Sequence, residues 1–149
     1  MLKVDAKTLS EGVIRIFKGK LSNLCGKPVL VVLYGDVFDT KPYFELIDTA
    51  IAPYNPHVLS YAVNIGRQYW ALQKSYPIDL QYGRRICRII NRNISYVPTQ
   101  LFVGLDGSCG HFIGMMKKLE LELMLSDLCV NEKPTLIGER ELEYNFEDF

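Results

Sequence analysis

Four cysteines, two histidines, a pair of aspartates and a stripe of arginines are the residues of this 149-residue chain whose types could do chemistry. The cysteines, Cys25, Cys87, Cys109 and Cys129, include no Cys-x-x-Cys pair, and the closest two stand 20 residues apart. A structural zinc site draws on at least one tight Cys or His pair. His57 and His111 are isolated, so neither a metal nor a cofactor is expected. Scattered thiols with apolar flanks read as small buried hydrophobes. Cys109, beside Gly110 at an expected turn, is the one placed to be exposed. Asp36 and Asp39 could act as an acid and a base, but two aspartates just ahead of a helix suit capping better. Ser, His and Asp form no nucleophile motif, so no catalytic residue is assigned.

Arg84, Arg88 and Arg92 fall on one helical stripe, with Arg85 beside it and Ile86, Ile89 and Ile90 largely opposite. This is either a docking face for nucleic acid or an acidic partner, or the solvated side of an amphipathic helix. Residues 66–95 hold six bases and one acid, whereas residues 132–149 hold six acids and two bases, so the tail could itself fold onto this helix. Tyr69, Trp70 and Tyr76 read first as core packing and second as a binding patch. Over the whole chain, 17 Lys plus Arg balance 17 Asp plus Glu. Zero net charge disfavours a protein that coats nucleic acid or an acidic membrane. A composition of 48% hydrophobic and 23% charged residues is that of a globular domain. No apolar run approaches the roughly 20 residues of a membrane span, so no membrane insertion is expected. Lys3, Asp5 and Lys7 interrupt any signal-peptide core, and the chain is read as cytoplasmic.

The elements that position these residues follow from periodicity and punctuation. Leu2–Val4 suits a short strand. Thr8 or Ser10 can cap a helix whose apolar residues, Val13, Ile14, Ile16, Phe17, Leu21 and Leu24, keep near-helical spacing, with Gly12 and Gly19 against it. Val29–Tyr34 is a continuous apolar, β-branched run, the pattern of a strand buried on both faces. Pro42 suits a first helical turn, and Tyr43, Phe44, Leu46, Ile47, Ala50 and Ile51 continue at helical spacing until Pro53 and Pro56. Val58–Ile65 is a second buried strand. A long connection then carries a helical patch near Trp70 and a helix over about 80–93. Gln100–Leu105 and Cys109–Ile113 flank the hairpin signal Asp106-Gly107, and Gly114 opens a helix through Leu128. The order β-α-β-α-β-α-β-β-α gives a mixed sheet, parallel at first and antiparallel at the hairpin, with helices on both faces. Residues 1–131 make one domain, with 66–95 as an extended connection and 132–149 as an acidic, partly ordered tail.

This order, with these residues, resembles the thioredoxin-like superfamily over about residues 2–130. Lys27-Pro28-Val29-Leu30-Val31-Val32-Leu33-Tyr34-Gly35 looks like its central strand running into the active-site loop, and 42–52 like the following helix. Ser95-Tyr96-Val97-Pro98-Thr99-Gln100-Leu101-Phe102 looks like the segment holding the family's cis-proline. Asp106-Gly107 with Phe112-Ile113-Gly114 looks like its hairpin and the glycine before its last helix. The resemblance implies a three-layer α/β/α fold with a mixed central sheet and a cis Val97–Pro98 bond. The 30-residue stretch from Gly66 to Ser95 is longer than in a minimal thioredoxin.

The chemistry of the family does not carry over. Its redox motif sits at the start of the second helix, where the helix N-terminus lowers a thiol's pKa. The matching residues here are Phe38-Asp39-Thr40-Lys41. The family's buried acid aligns with Val32 and its lysine partner near Ala62. Without thiols there is no reason to bury that acid, since an isolated buried carboxylate is costly. The resemblance therefore implies a redox-inactive protein that binds a protein or peptide partner in the groove of Phe38, Asp39, Thr40, Lys41, Val97, Pro98 and Thr99. An adaptor, a chaperone or a complex subunit would fit, as in the similarly built redox-silent members of the splicing machinery. The alternative is an oxidoreductase using Cys109 or Cys87. Nucleic acid at Arg84, Arg85, Arg88 and Arg92 is less favoured, and the oligomeric state is not indicated.

Overall fold

The computed structural model describes residues 1–18, 20–35, 41–64, 98–131 and 137–139. Strand β1 (Leu2–Val4) leads into helix α1 (Ala6–Gly12). The Asp5 side chain caps that helix by accepting the Thr8 backbone N–H at 2.7 Å, and this bond holds its carboxyl below the usual carboxylate range. The long first helix expected toward Leu24 does not form. The chain leaves α1 at Gly12 and folds into an antiparallel hairpin, β2 (Ile14–Phe17) and β3 (Lys20–Asn23), in the register Ile14↔Asn23 to Phe17↔Lys20. Val13, Ile14 and Ile16 are β-branched and favour strands. Lys18 takes the left-handed conformation, φ 50°, at the hairpin end, which a helix cannot accommodate.

Strand β4 (Val29–Tyr34) is the buried central strand the sequence predicts, and helix α2 (Lys41–Ile51) follows it. A short 3-10 turn over Ala52–Tyr54, with Pro53 in it, ends α2 and leads to β5 (Leu59–Asn64). Later in the chain come β6 (Thr99–Val103), β7 (Cys109–Ile113), helix α3 (Lys118–Asn131) and β8 (Ile137–Glu139). The helical patch near Trp70 and the helix over 80–93 lie outside the described residues. Six strands form one sheet in the order β1-β5-β4-β6-β7-β8. β4 pairs parallel with β5 and antiparallel with β6; β6 pairs antiparallel with β7.

The Asp106-Gly107 hairpin forms where expected. Gly107 sits at φ +83°, and a Cβ there would come within 2.1 Å of the Leu21 carbonyl oxygen, so the turn and the β2–β3 hairpin meet at a position only glycine fits. Asn23 ties the same regions, its side-chain amide donating to the carbonyls of Lys27 and Gly104 at 2.7 and 3.2 Å. Helix α3 starts later than predicted. Gly114 is at φ +114° and donates its N–H to the Pro98 carbonyl at 2.7 Å. The helix begins at Lys118, and the Glu120 carboxylate accepts the Lys117 backbone N–H at 2.8 Å. The segment read as an acidic tail contributes β8, which adds to the sheet edge in parallel with β7.

The even-numbered side of β4 and its neighbours carries the main core. Leu30, Val32, Ala62, Phe102 and Phe112 face Tyr43, Phe44 and Ile47 of α2 and Leu121, Met124, Leu125 and Leu128 of α3. On the opposite face the Cys25 thiol meets Tyr61 of β5. Among the described residues no helix is long and apolar enough to cross a membrane.

Candidate functional site

The register of β4 and β6 decides where a site can lie. Leu33 pairs with Thr99, so Pro98 and Thr99 stand beside the C-terminal end of β4, the end from which the chain passes to the start of α2. Of the seven residues expected to form the groove, Lys41, Pro98 and Thr99 are described; Pro98 and Thr99 stand at this end of the sheet, and Lys41 is the first residue of α2. Lys41 is exposed, while Pro98 and Thr99 are buried. Phe38, Asp39, Thr40 and Val97 lie outside the described residues, and the Val97–Pro98 bond with them. So do Asp36, Cys87 and the basic face of Arg84, Arg85, Arg88 and Arg92.

Below this end lie the two positions where the resemblance expects an acid and its lysine. Val32 and Ala62 are cross-strand partners, and both are fully buried. On the other flank of Val32, in register, stands Gln100, whose further neighbour is Phe112. The row on the helix-covered face therefore runs Ala62, Val32, Gln100, Phe112. Gln100 is fully buried, and among the described residues neither its side-chain oxygen nor its nitrogen has a hydrogen-bond partner. Leaving a buried donor or acceptor unsatisfied costs about 1–3 kcal/mol, and such groups concentrate where function retains them. Sequence reasoning missed this residue, although its place two positions after Pro98 was legible.

The described thiols are poor nucleophiles. Cys109 does not project from the turn as expected. It is the first residue of β7 and half-buried, and loss of solvent pushes its thiol up to about 12. Burial also raises Cys25 and Cys129 above the ordinary thiol value. For Cys109 the folded chain keeps a proton that the unfolded chain, with a value near 9, gives up. Stability is therefore lost as pH climbs through about 9 to 12. His57 is exposed on a turn and His111 is buried in β7, opposite Leu101. Among the described residues no three His, Cys, Asp or Glu gather as metal ligands. Two clefts, about 440 and 380 Å³, lie at the other end of the sheet, lined in part by Asp48 and Asn55 and by Lys27 and His57.

The architecture is the thioredoxin-like fold. The crystal structure of chloroplastic thioredoxin z superposes on it with a TM-score of 0.54 at 7% sequence identity, over 86% of this chain and 93% of that one. The structure of MTB dsbF in mixed oxidized and reduced forms gives a TM-score of 0.51 at 19% identity, over 70% of this chain and 83% of that one. No family model and no curated protein matches the sequence.

Proposed function

We propose that this chain is a non-catalytic binding protein, an adaptor, chaperone or complex subunit. It holds an extended segment of a protein partner in the groove of Phe38, Asp39, Thr40, Lys41, Val97, Pro98 and Thr99. The observation that carries this reading is the buried Val32–Ala62 pair, apolar where dithiol exchange needs a proton-handling acid and its partner. The raised thiols of Cys25, Cys109 and Cys129 support it, because the thiolate is the nucleophile and these sites disfavour it. Backbone groups at the groove would pair with the extended partner, and Phe38 would anchor it.

The test has two arms on the full chain. In a dithiol-driven insulin reduction assay, turnover should not rise above the uncatalysed rate. Turnover abolished by changing a single cysteine to serine would establish an oxidoreductase instead. In the second arm, peptides selected from a random display library are titrated against wild type, Phe38→Ala and Arg88→Glu. The groove reading expects Phe38→Ala to weaken binding about tenfold or more, as for an aromatic anchor, with little salt dependence. Loss with Arg88→Glu alone, steep in salt, would move the site to the basic face.

A further inference from the structure

Helix α3 is apolar on two sides. Leu121, Met124, Leu125 and Leu128 face the core, yet Leu119 and Leu123, one turn apart on the other side, are 65% and 64% exposed. Met115, just ahead of the helix, is also 43% exposed. A surface helix with a covered core ordinarily turns charge outward. An exposed apolar row on a charged surface marks a place where something docks.

We propose that the occupant is the C-terminal segment of this same chain, Arg140 to Phe149, laid in extended form along the outer side of α3. Three observations commit to it. The first is where the described chain ends. β8 runs parallel to β7 with Glu139 beside Ile113, so the chain leaves the sheet at the end where α3 starts, two residues from Met115. The second is reach and spacing. Ten extended residues span at most about 33–36 Å, more than the roughly 21 Å of a 14-residue helix. Leu142, Tyr144 and Phe146 alternate, so in extended form they share one side at about 6.6–6.8 Å intervals. Leu119 and Leu123 are about 6 Å apart along the helix axis, which lets one row meet the other. The third is charge. Glu141, Glu143, Glu147 and Asp148 outnumber Arg140 in the segment, and Lys117 and Lys118 stand exposed at the end of α3 where it would arrive. Lys118 reaches Glu122 at only 3.8 Å with both side chains largely exposed, a weak pair that a new partner can replace.

The experiment uses the full chain carrying Leu119→p-benzoylphenylalanine, a change at an exposed position. After irradiation, adducts are separated by size and mapped by mass spectrometry. The proposal expects a monomer-sized product joined to a peptide within 140–149. The yield should be abolished by Leu142→Ser with Phe146→Ser, and cut about fivefold by Lys117→Glu with Lys118→Glu. A dimer-sized adduct as the main product would give the face to a second copy. Adducts elsewhere in the chain, or none, would also overturn the proposal. So would a yield indifferent to the two tail substitutions.

Discussion

Helices α2 and α3 pack on the same face of the sheet, yet their outer sides differ. α2 buries Tyr43, Phe44, Ile47, Ala50 and Ile51 and turns Glu45, Asp48 and Thr49 to solvent. Each outward group has a local role or is simply solvated. Asp48 receives the N-terminal amine of Met1, and the Thr49 hydroxyl donates to the Glu45 carbonyl at 2.9 Å. α3 buries an equally complete row but shows two leucines outside. Core burial therefore accounts for the large apolar side chains on α2, with Leu46 partly buried, but leaves Leu119 and Leu123 of α3 outside it. The inner rows of both helices are stability; the outer row of α3 is one that the described core leaves uncovered.

If the inner rows are equivalent, truncating either should cost alike. Ile47→Ala and Leu125→Ala, both at fully buried positions, should each lower unfolding free energy by about 2–5 kcal/mol. Urea midpoints measured at constant slope would show it. A much smaller loss at Leu125 would mean α3 is the looser helix.

A polar contact also joins α2 to the segment just ahead of α3. The Tyr43 hydroxyl of α2 accepts the Met116 backbone N–H at 3.0 Å in a buried setting. Tyr43→Phe leaves that N–H without this acceptor and should cost about 1–3 kcal/mol. The loss should appear as faster amide exchange at Met116 as well as in the urea midpoint. An unchanged exchange rate would show that water already serves this amide.

Beneath α2 and α3 lies the row Ala62, Val32, Gln100, Phe112. Three members are apolar and one is a carboxamide with no hydrogen-bond partner among the described residues. Gln100→Leu keeps the approximate volume and removes the orphan. It should raise unfolding free energy by about 1 kcal/mol while lowering affinity for any groove peptide selected as above. A rise in stability with affinity intact would make Gln100 a defect with no role in binding.

Much of this arrangement was legible before the structure, and the exceptions share a cause. β4 announces itself because six consecutive apolar residues leave no polar face. Asp106-Gly107 needs a left-handed glycine, and the chain supplies one. These features are local. The β2–β3 hairpin was hidden because Val13, Ile14, Ile16, Phe17, Leu21 and Leu24 satisfy helical spacing as well as alternation on two short strands. Only tertiary contact with the 107 turn decides between them. β8 was hidden because three residues in an acidic segment become a strand only when an exposed edge of β7 is there to receive them. Cys109 stands next to a turn, yet it is half-buried as the first residue of β7, paired with Val103 of β6. At the site, the landmarks placed Val32 and Ala62 side by side, and the register pairs them. Gln100 could not be placed in this way, since one glutamine in a strand does not reveal which way it faces.

The smallest effect is the one that separates the two outer faces. A double-mutant cycle in the full chain pairs Leu123→Ser with Phe146→Ser, and a control cycle pairs Glu45→Ala with Phe146→Ser. Single substitutions at exposed positions should each stay within about 0.5 kcal/mol where nothing covers them. Residues in contact show coupling of about 0.5–3 kcal/mol, and a half-exposed row crossed by an extended segment belongs at the low end of that range. The Leu123 cycle should therefore show coupling of about 0.5–1 kcal/mol, while the Glu45 cycle should show none beyond error. Because both cycles share Phe146→Ser, a general weakening of the fold by that change cancels between them. Coupling at Leu123 alone would make α3 the covered helix and α2 the bare one; equal coupling in both cycles would erase the distinction.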